Sequence, residues 1–558
     1  MLRDPDEGSA LVFDLVEHDE PDPDRSPAVP GVDGTVQVAA PVASDDADRG
    51  PDAPREAGAR WRTVLTAAAV LAIVLGTGIA SDGVRDAARI ERMRDFGGAV
   101  EDVSAPLTEK WVWDGTVGIG QDWDGVEAVV LGDVLAFRSG RDLIALDPAT
   151  GEDAWVVPLG DDPACGPIGI SPYEGTSARS VSMMVCLYGA AADREVVTVL
   201  PDGTVSAPRT LAPSDARRHG PARPGPDGTI LRATRIGPES QVDLGDAECT
   251  ETGECGGIVA AGRDVELRAE DAVTGEELWT VTVPFEEAEA WECMDASWED
   301  QSGGLAFDGQ LHPDAFGARV TSDLVQLSGC GVEAAVTPDG VLLSPELRQG
   351  TGYVESLALG GYVWLGYNGP GRTVVYADDG TVVVELAGHV RGPRAADGVG
   401  PDTFLGSDET GQRLLAYAAD GVPRWDVGAE ALEHRFLAQV GRTAVVTAPG
   451  AGVRGLDIDT GAERWRWDVS AGGDEALEIF TDGRAVLLHL IQIDSGMRRM
   501  VSLDAATGEV LWRESDEAAT VRQDVATGRI DDEQMPVVLV AVDGHLLEVG
   551  RTGVRGLG

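Results

Sequence analysis

Leu146-Asp147-Pro148-Ala149-Thr150-Gly151-Glu152-Asp153-Ala154-Trp155 decides how this chain is read, because its skeleton, Asp-x-x-Thr-Gly-x-x-x-Trp, returns three times. The copies are Asp271-Thr274-Gly275-Trp279, Asp457-Thr460-Gly461-Trp465 and Asp504-Thr507-Gly508-Trp512. A chain of 558 residues with ordinary composition holds on the order of 0.01 chance matches to such a pattern, so four copies mean an internal repeat. A β-type run precedes each copy (143–146, 267–269, 453–456, 501–503), and a second run ends at the Trp. Asp at the start of such a turn accepts a hydrogen bond from the backbone two residues on. Gly takes positive φ without a Cβ clash, so each unit is expected to be a β-hairpin. The Trp needs more apolar cover than one hairpin offers, and neighbouring units should supply it.

Looser copies fill the gaps. Tyr417 to Trp425 shortens the turn to Asp420-Gly421 and keeps the Trp, and Asp-Gly turns between apolar runs stand at Asp202-Gly203, Asp339-Gly340, Asp379-Gly380 and Asp543-Gly544. From position 339 the signals fall at 379, 420, 457, 504 and 543, a period of 37 to 47 residues. That is the length of one four-stranded propeller blade.

At these residues the sequence resembles the quinoprotein-type (PQQ-like) β-propeller repeat, over roughly residues 106 to 556. The resemblance implies blades whose hairpin Trp docks against the next blade. It includes alcohol dehydrogenases as well as non-catalytic scaffolds such as the outer-membrane assembly lipoprotein, so it speaks for a fold and not for an activity. The expected fold class is all-β: a propeller of four-stranded antiparallel blades, eight of them or seven, over 106–558. Trp111-Val112-Trp113 is expected to supply a strand that closes the ring with the C-terminal hairpin near 542–549.

What precedes the repeats has a different character. Residues 1–60 carry 15 acidic residues against five Arg and a Pro/Asp/Ala-rich run with too little apolar surface for a core, and are read as a disordered acidic tail. One apolar island in it, 10–17, is either a short docking motif or a stray patch. Residues 64–80 (VLTAAAVLAIVLGTGIA) are 17 uncharged residues, and with their flanks make 61–81 a transmembrane helix. Lying behind a long tail, the span reads as a signal anchor; Gly78-Ile79-Ala80 leaves cleavage open. Residues 82–105 are read as a stalk, helical over 83–96. Four Arg flank the span on each side, so charge does not orient it. The six Cys (165, 186, 249, 255, 293, 330) all lie beyond it, an even number expected to form disulfides in an oxidising space. Hence the expected localisation: single-pass in the cell membrane, N-terminus cytoplasmic, propeller outside. Six Cys permit fifteen connectivities; nearest-neighbour pairing (165 with 186, 249 with 255, 293 with 330) is the expectation.

The formal charge of −53 argues against nucleic acid as a partner, since phosphates would be repelled. No Cys-x-x-Cys or Cys/His pair at ligand spacing offers a zinc site, and no Gly-x-Ser-x-Gly or His-Glu-x-x-His is present. The resemblance implies that catalytic members hold their quinone with a disulfide between adjacent Cys and a Ca²⁺; no two Cys are adjacent here, and no Cys-x-x-Cys-His could hold a haem. Four equivalent turns cannot all be one active site. Asp147, Asp271, Asp457 and Asp504 are therefore read as turn formers, Gly151, Gly275, Gly461 and Gly508 as their positive-φ residues, and Trp155, Trp279, Trp465 and Trp512 as docking residues. No catalytic, cofactor-binding or metal-ligating residue is assigned, and no cofactor is expected. The irregular stretch from 202 to 339, with its Cys loop and Glu286-Glu287-Ala288-Glu289-Ala290-Trp291, is either disulfide-pinned decoration or a binding surface. The function read from sequence is a non-catalytic binding or scaffolding module at the cell envelope, its partner unidentified. The alternatives are a quinoprotein-like oxidoreductase and a sensor of a small molecule or glycan.

Overall fold

A computed structural model describes residues 92–93, 98–118, 128–167, 180–190, 193–249, 255–293, 310–343, 352–357, 361–366, 372–400, 402–408, 410, 412–428, 435–448, 452–468, 474–492, 498–516, 523–524, 529–530 and 537–558. The acidic tail and the apolar run at 64–80 lie outside the described residues, and so does the helical stalk except for Arg92 and Met93, which are helical. Among the described residues no helix is long and apolar enough to cross a membrane.

The repeats build nine sheets among the described residues, eight antiparallel ones of four strands and one of five. Blade 1 is typical: Ala128–Leu131, Val134–Ser139, Asp142–Leu146 and Asp153–Pro158 pair in sequence order. Its innermost strand, Ala-Val-Val-Leu, is buried throughout, whereas the outermost is mostly exposed. This gradient is the reason the inner strands read as unbroken apolar runs: a neighbouring blade covers each face. Blades 2 to 8 follow over 164–210, 222–283, 316–343, 352–387, 389–428, 435–467 and 474–516. Blade 7 gains a fifth strand, Ala395–Ala396, parallel to Arg435–Val440.

The ninth blade corrects the expected count. Its strands Val538–Val542, His545–Gly550 and Gly553–Leu557 come from the C-terminal end, and its outer strand is Glu109–Trp113 from the other end of the ring. Each of the first eight blades announces itself in the sequence by a turn between its third and fourth strands. The ninth has no such turn, because those two strands are joined by no loop. The Asp543-Gly544 signal belongs to the turn between its first two strands. Nine apolar clusters then lie one at each successive interface, from Val129 and Val197 between blades 1 and 2 round to Val130 and Val540 between blades 1 and 9. The ring is closed and each cluster needs two blades, so no blade holds a core alone.

Antiparallel order also sorts the loops. Connections between strands one and two and between strands three and four fall on one face of the ring, the turn face. Connections between strands two and three, and from one blade to the next, fall on the opposite face, the loop face.

Candidate functional site

The repeated Asp and Thr are spent locally. Asp147 Oδ1 accepts from Ala149 N at 2.8 Å and Thr150 N at 3.0 Å, while Gly151 N donates to Asp147 O at 2.8 Å. The same arrangement forms at Asp271, Asp457 and Asp504. The four glycines sit at φ of 70°, 76°, 71° and 73°, the left-handed region where a Cβ is strained.

The Trp join blade to blade on this turn face. Trp155 of blade 1 lies over Gly203 of blade 2 and donates its indole N–H to Pro201 O at 2.8 Å. Trp279 does so to Pro338 O at 2.7 Å over Gly340, Trp425 to Ile458 O at 2.9 Å over Gly461, and Trp465 to Ala505 O at 3.0 Å over Gly508. Trp111, on the outer strand of blade 9, donates to Pro148 O at 3.1 Å over Gly151 of blade 1, which carries the lock across the seam. Because blade 9 has no turn between its third and fourth strands, Trp512 finds a different acceptor, Val103 O at 2.8 Å. The chain leading into the outer strand takes the missing turn's place. Glu101 N donates to Gly544 O, Val100 N to Thr481 O and Ser502 Oγ to Val103 O. The polypeptide from Gly98 to Val103 therefore runs on the turn face, between blades 8 and 9.

Blade 2 carries no Trp for this purpose. Arg209 fills the position: its Nε donates to Ala272 O at 2.9 Å and its guanidinium lies over Gly275. Val341 with Leu343 and Val384 with Leu386 cover Gly380 and Gly421 in the same way. No spacing in the sequence marks Arg209, which stands where the Asp-Gly turn is followed by neither Trp nor an apolar pair.

Asp457 shows how these turns respond to acid. Hydrogen bonds from the Arg464 guanidinium, from Thr460 and from Asp459 N hold its carboxyl at about 2. A carboxyl depressed in the folded state stabilises it above the unfolded value near 3.9, and that contribution is lost as pH falls through the folded value. The stability difference between wild type and Asp457→Asn is expected to be full above pH 4 and to close as pH approaches 2. Denaturant melts across that range check it; a difference that does not change between pH 7 and pH 2 contradicts it.

Two ionic groups are buried at blade interfaces. Glu270 accepts Arg232 Nε at 3.0 Å, with Arg268 Nε at 3.4 Å and Arg209 Nη2 at 3.9 Å. Arg232 is 1% exposed, and its Nη1 donates to Gly220 O. Burial is the main reason the Arg209 guanidinium is drawn below its ordinary value, against the pull of Glu270. The second group pairs Glu478 with His489 Nδ1 at 2.5 Å, and the other Glu478 oxygen accepts Leu539 N of blade 9 at 3.0 Å. At 2% and 4% exposure this Glu–His pair has no path to a substrate, so its work is to tie blade 8 to blade 9.

On the loop face the ring carries a cap made from the described residues of two insertions, 236–264 within blade 3 and 284–315 between blades 3 and 4. Short strands Glu248–Cys249 and Cys255–Gly256 form one pair, and Ile258–Val259 pairs with Ala288–Glu289. Cys249 is bonded to Cys255 and Cys293 to Cys330, while Cys165 is bonded to Cys186 in blade 2. Arg235 fastens the cap to the ring by donating to Arg263 O, Asp314 O, Ala315 O and Cys330 O, between the Phe285 and Phe316 rings. With no carboxylate bonded to it, burial brings its guanidinium down to about 10. Unreduced protein is expected to show no free thiol under denaturing conditions. Reduction should lower stability by about 2–5 kcal/mol for each bridge closing a sizeable loop; six titratable thiols in the unreduced protein contradict this.

Among the described residues no group of three or more His, Cys, Asp or Glu is gathered to hold a metal ion. The disulfides span 21, 6 and 37 residues, so none joins adjacent Cys as the quinoprotein resemblance implies for a quinone site.

Residues 410–537 match the family model of the outer membrane protein assembly factor BamB. No curated protein matches the chain. Among solved structures it is similar to BamB from Moraxella catarrhalis, at 13% identity over 72% of this chain and 98% of that one, with a TM-score of 0.27. It is similar to the computationally designed Ika8 protein at 11% identity, over 83% and 99% of the two chains, with a TM-score of 0.30. Quinohemoprotein alcohol dehydrogenase from Comamonas testosteroni gives 12% identity, 83% and 78% coverage and a TM-score of 0.33. No residue role is carried over from any of them.

Proposed function

We propose, from the premise that this chain is a PQQ-like β-propeller repeat protein, that it is a non-catalytic scaffold which binds a protein partner at the cell envelope. One observation carries the reading. The residues that recur faithfully enough to look like a site are consumed in turn hydrogen bonds and blade locks on the turn face. What is left with unspent chemistry is the opposite face, where the disulfide-pinned cap stands. Scaffolds need such a rigid platform with variable loops; an enzyme needs converging polar groups, and the buried pairs at Glu270 and Glu478 are sealed from solvent.

In this reading residues 61–81 anchor the protein in the membrane, 1–60 lie in the cytoplasm, 82–105 lead off the membrane and the ring of 106–558 stands outside it. The oxidised state of the cysteines and the apolar run support that arrangement.

Purified full-length protein is expected to show no absorption band in the visible and no stoichiometric metal. A quinone chromophore with bound calcium would overturn the scaffold reading in favour of an oxidoreductase. A reporter active only in the cytoplasm is expected to work at the N-terminus and to fail at the C-terminus; the reverse result overturns the topology.

A further inference from the structure

The cap joins three exposed apolar side chains to an unbalanced negative charge. Leu244, Ile258 and Trp291 are 41%, 39% and 52% exposed. Ile258 stands opposite Glu289 in register, the Trp291 indole N–H donates to the Glu289 carboxylate, and Ala290 N donates to Gly257 O. The segment that carries Leu244 is held beside Ile258 by the Ala260 N to Asp243 O bond and by Asp246, whose Oδ1 accepts Ile258 N at 2.7 Å. Glu289 borders this patch, and Glu248, Glu286 and Glu287 are exposed on the same two insertions. The two insertions, 236–264 and 284–315, contain sixteen Asp or Glu against one Arg, Arg263, which is paired with Asp314. Burial first, and then the negative charges of Glu333 and Glu289, push the Glu292 carboxyl above its usual range.

We propose that this surface docks a basic, apolar-bearing segment of a partner protein, with an aliphatic or aromatic side chain seated on Trp291 and Ile258 and Lys or Arg side chains held by Glu286, Glu287 and Glu289. The proposal rests on the scaffold reading and specifies its partner. Charge complementarity selects a cationic partner over a neutral one. The Trp291 ring, its N–H already engaged, offers an open face for apolar contact and for a cation. The bonds Cys249–Cys255 and Cys293–Cys330 and the Arg235 clamp hold the surface in shape before binding, which reduces the ordering cost of association. An apolar patch ringed by charge and held by cross-links is the form a protein-binding surface takes.

The test is a titration of full-length protein in detergent with a fluorescein-labelled decapeptide of alternating Arg and Leu, read by anisotropy. Wild type and variants share the micelle background, so the difference between them reports on the cap. Trp291→Ser, and separately the triple change Glu286→Gln, Glu287→Gln and Glu289→Gln, are each expected to weaken binding by about tenfold or more, as for the anchors of an interface. Glu152→Gln with Glu276→Gln, on the turn face, should leave it unchanged. A decapeptide alternating Arg and Ser should bind about tenfold more weakly than the Arg-Leu peptide. All altered side chains are exposed, and unchanged circular dichroism confirms folding. Three outcomes overturn the proposal: no binding, binding indifferent to the cap changes, or Arg-Ser peptide or spermine binding as tightly as the Arg-Leu peptide, which would mean diffuse attraction to a polyanion. A colourless, metal-free protein that fails this titration loses this surface and keeps the scaffold reading.

Discussion

Trp465→Ala is expected to lower the unfolding free energy by about 3–5 kcal/mol, the range for emptying a large aromatic core position. The ring is 7% exposed and belongs to the apolar cluster between blades 7 and 8, with Leu488, Val501 and Leu503. It lies on the Gly508 turn and donates to Ala505 O at 3.0 Å. The change therefore removes apolar contact on both blades and leaves a turn carbonyl without its donor. Trp512→Ala should fall in the same range and do one thing more. Its acceptor is Val103 O, so the segment from Gly98 to Val103 loses a tether and should become sensitive to protease while the rest of the ring stays intact. Asp504→Ala, which removes turn hydrogen bonds only, should cost about 1 kcal/mol. Denaturant unfolding of the three variants checks the order. A loss of under about 1 kcal/mol for Trp465→Ala would mean that the ring is not locked by these side chains.

The second large effect is expected at Glu270. Replacing it with alanine leaves Arg232, 1% exposed, without its carboxylate, and Arg209 and Arg268 facing it. Breaking a buried pair on one side costs about 3–5 kcal/mol because the remaining charge is desolvated and uncompensated. Replacing both partners, Arg232→Met with Glu270→Leu, should recover part of the loss, since the fully buried guanidinium is then gone and only Arg209 and Arg268, each about a fifth exposed, lose the carboxylate. Equal losses in the single and the double variant would show that side-chain volume, and not charge, holds blades 2 and 3 together.

How far the sequence carried the reading depends on which residues the physics leaves visible. Four strict copies at 147, 271, 457 and 504 showed a turn, a positive-φ glycine and a large ring at fixed offsets, because each unit must satisfy the same local geometry. The closing strand at Trp111-Val112-Trp113 was legible, and it pairs with Gly553–Leu557; the count was not, because the ninth sheet has no turn between its third and fourth strands to mark it as a blade of its own. Arg209 was invisible for a related reason. Its guanidinium replaces an indole over a turn glycine with Glu270 and the Asp271 carbonyl beside it, and that proximity is tertiary. The cysteines were legible because Cys165 and Cys186, like Cys249 and Cys255, stand directly opposite each other on neighbouring strands, where short separations place them. The cap's charge was legible as composition. Its exposed Trp291 and Ile258 were not, since burial at this surface is decided by the strand pairing of Ile258 with Glu289.

The ring is closed by one seam, so the most direct measurement crosses it. Val112 stands in register with Arg555, the same opposed geometry that carries Cys165 and Cys186. In the double variant Val112→Cys with Arg555→Cys, the closed nine-bladed ring predicts a fourth intramolecular disulfide with no free thiol. The bridge should raise the unfolding free energy by about 2–5 kcal/mol, because it ties together the two ends of the ring. Two free thiols, or a bridge that forms only between molecules, would contradict the closed ring.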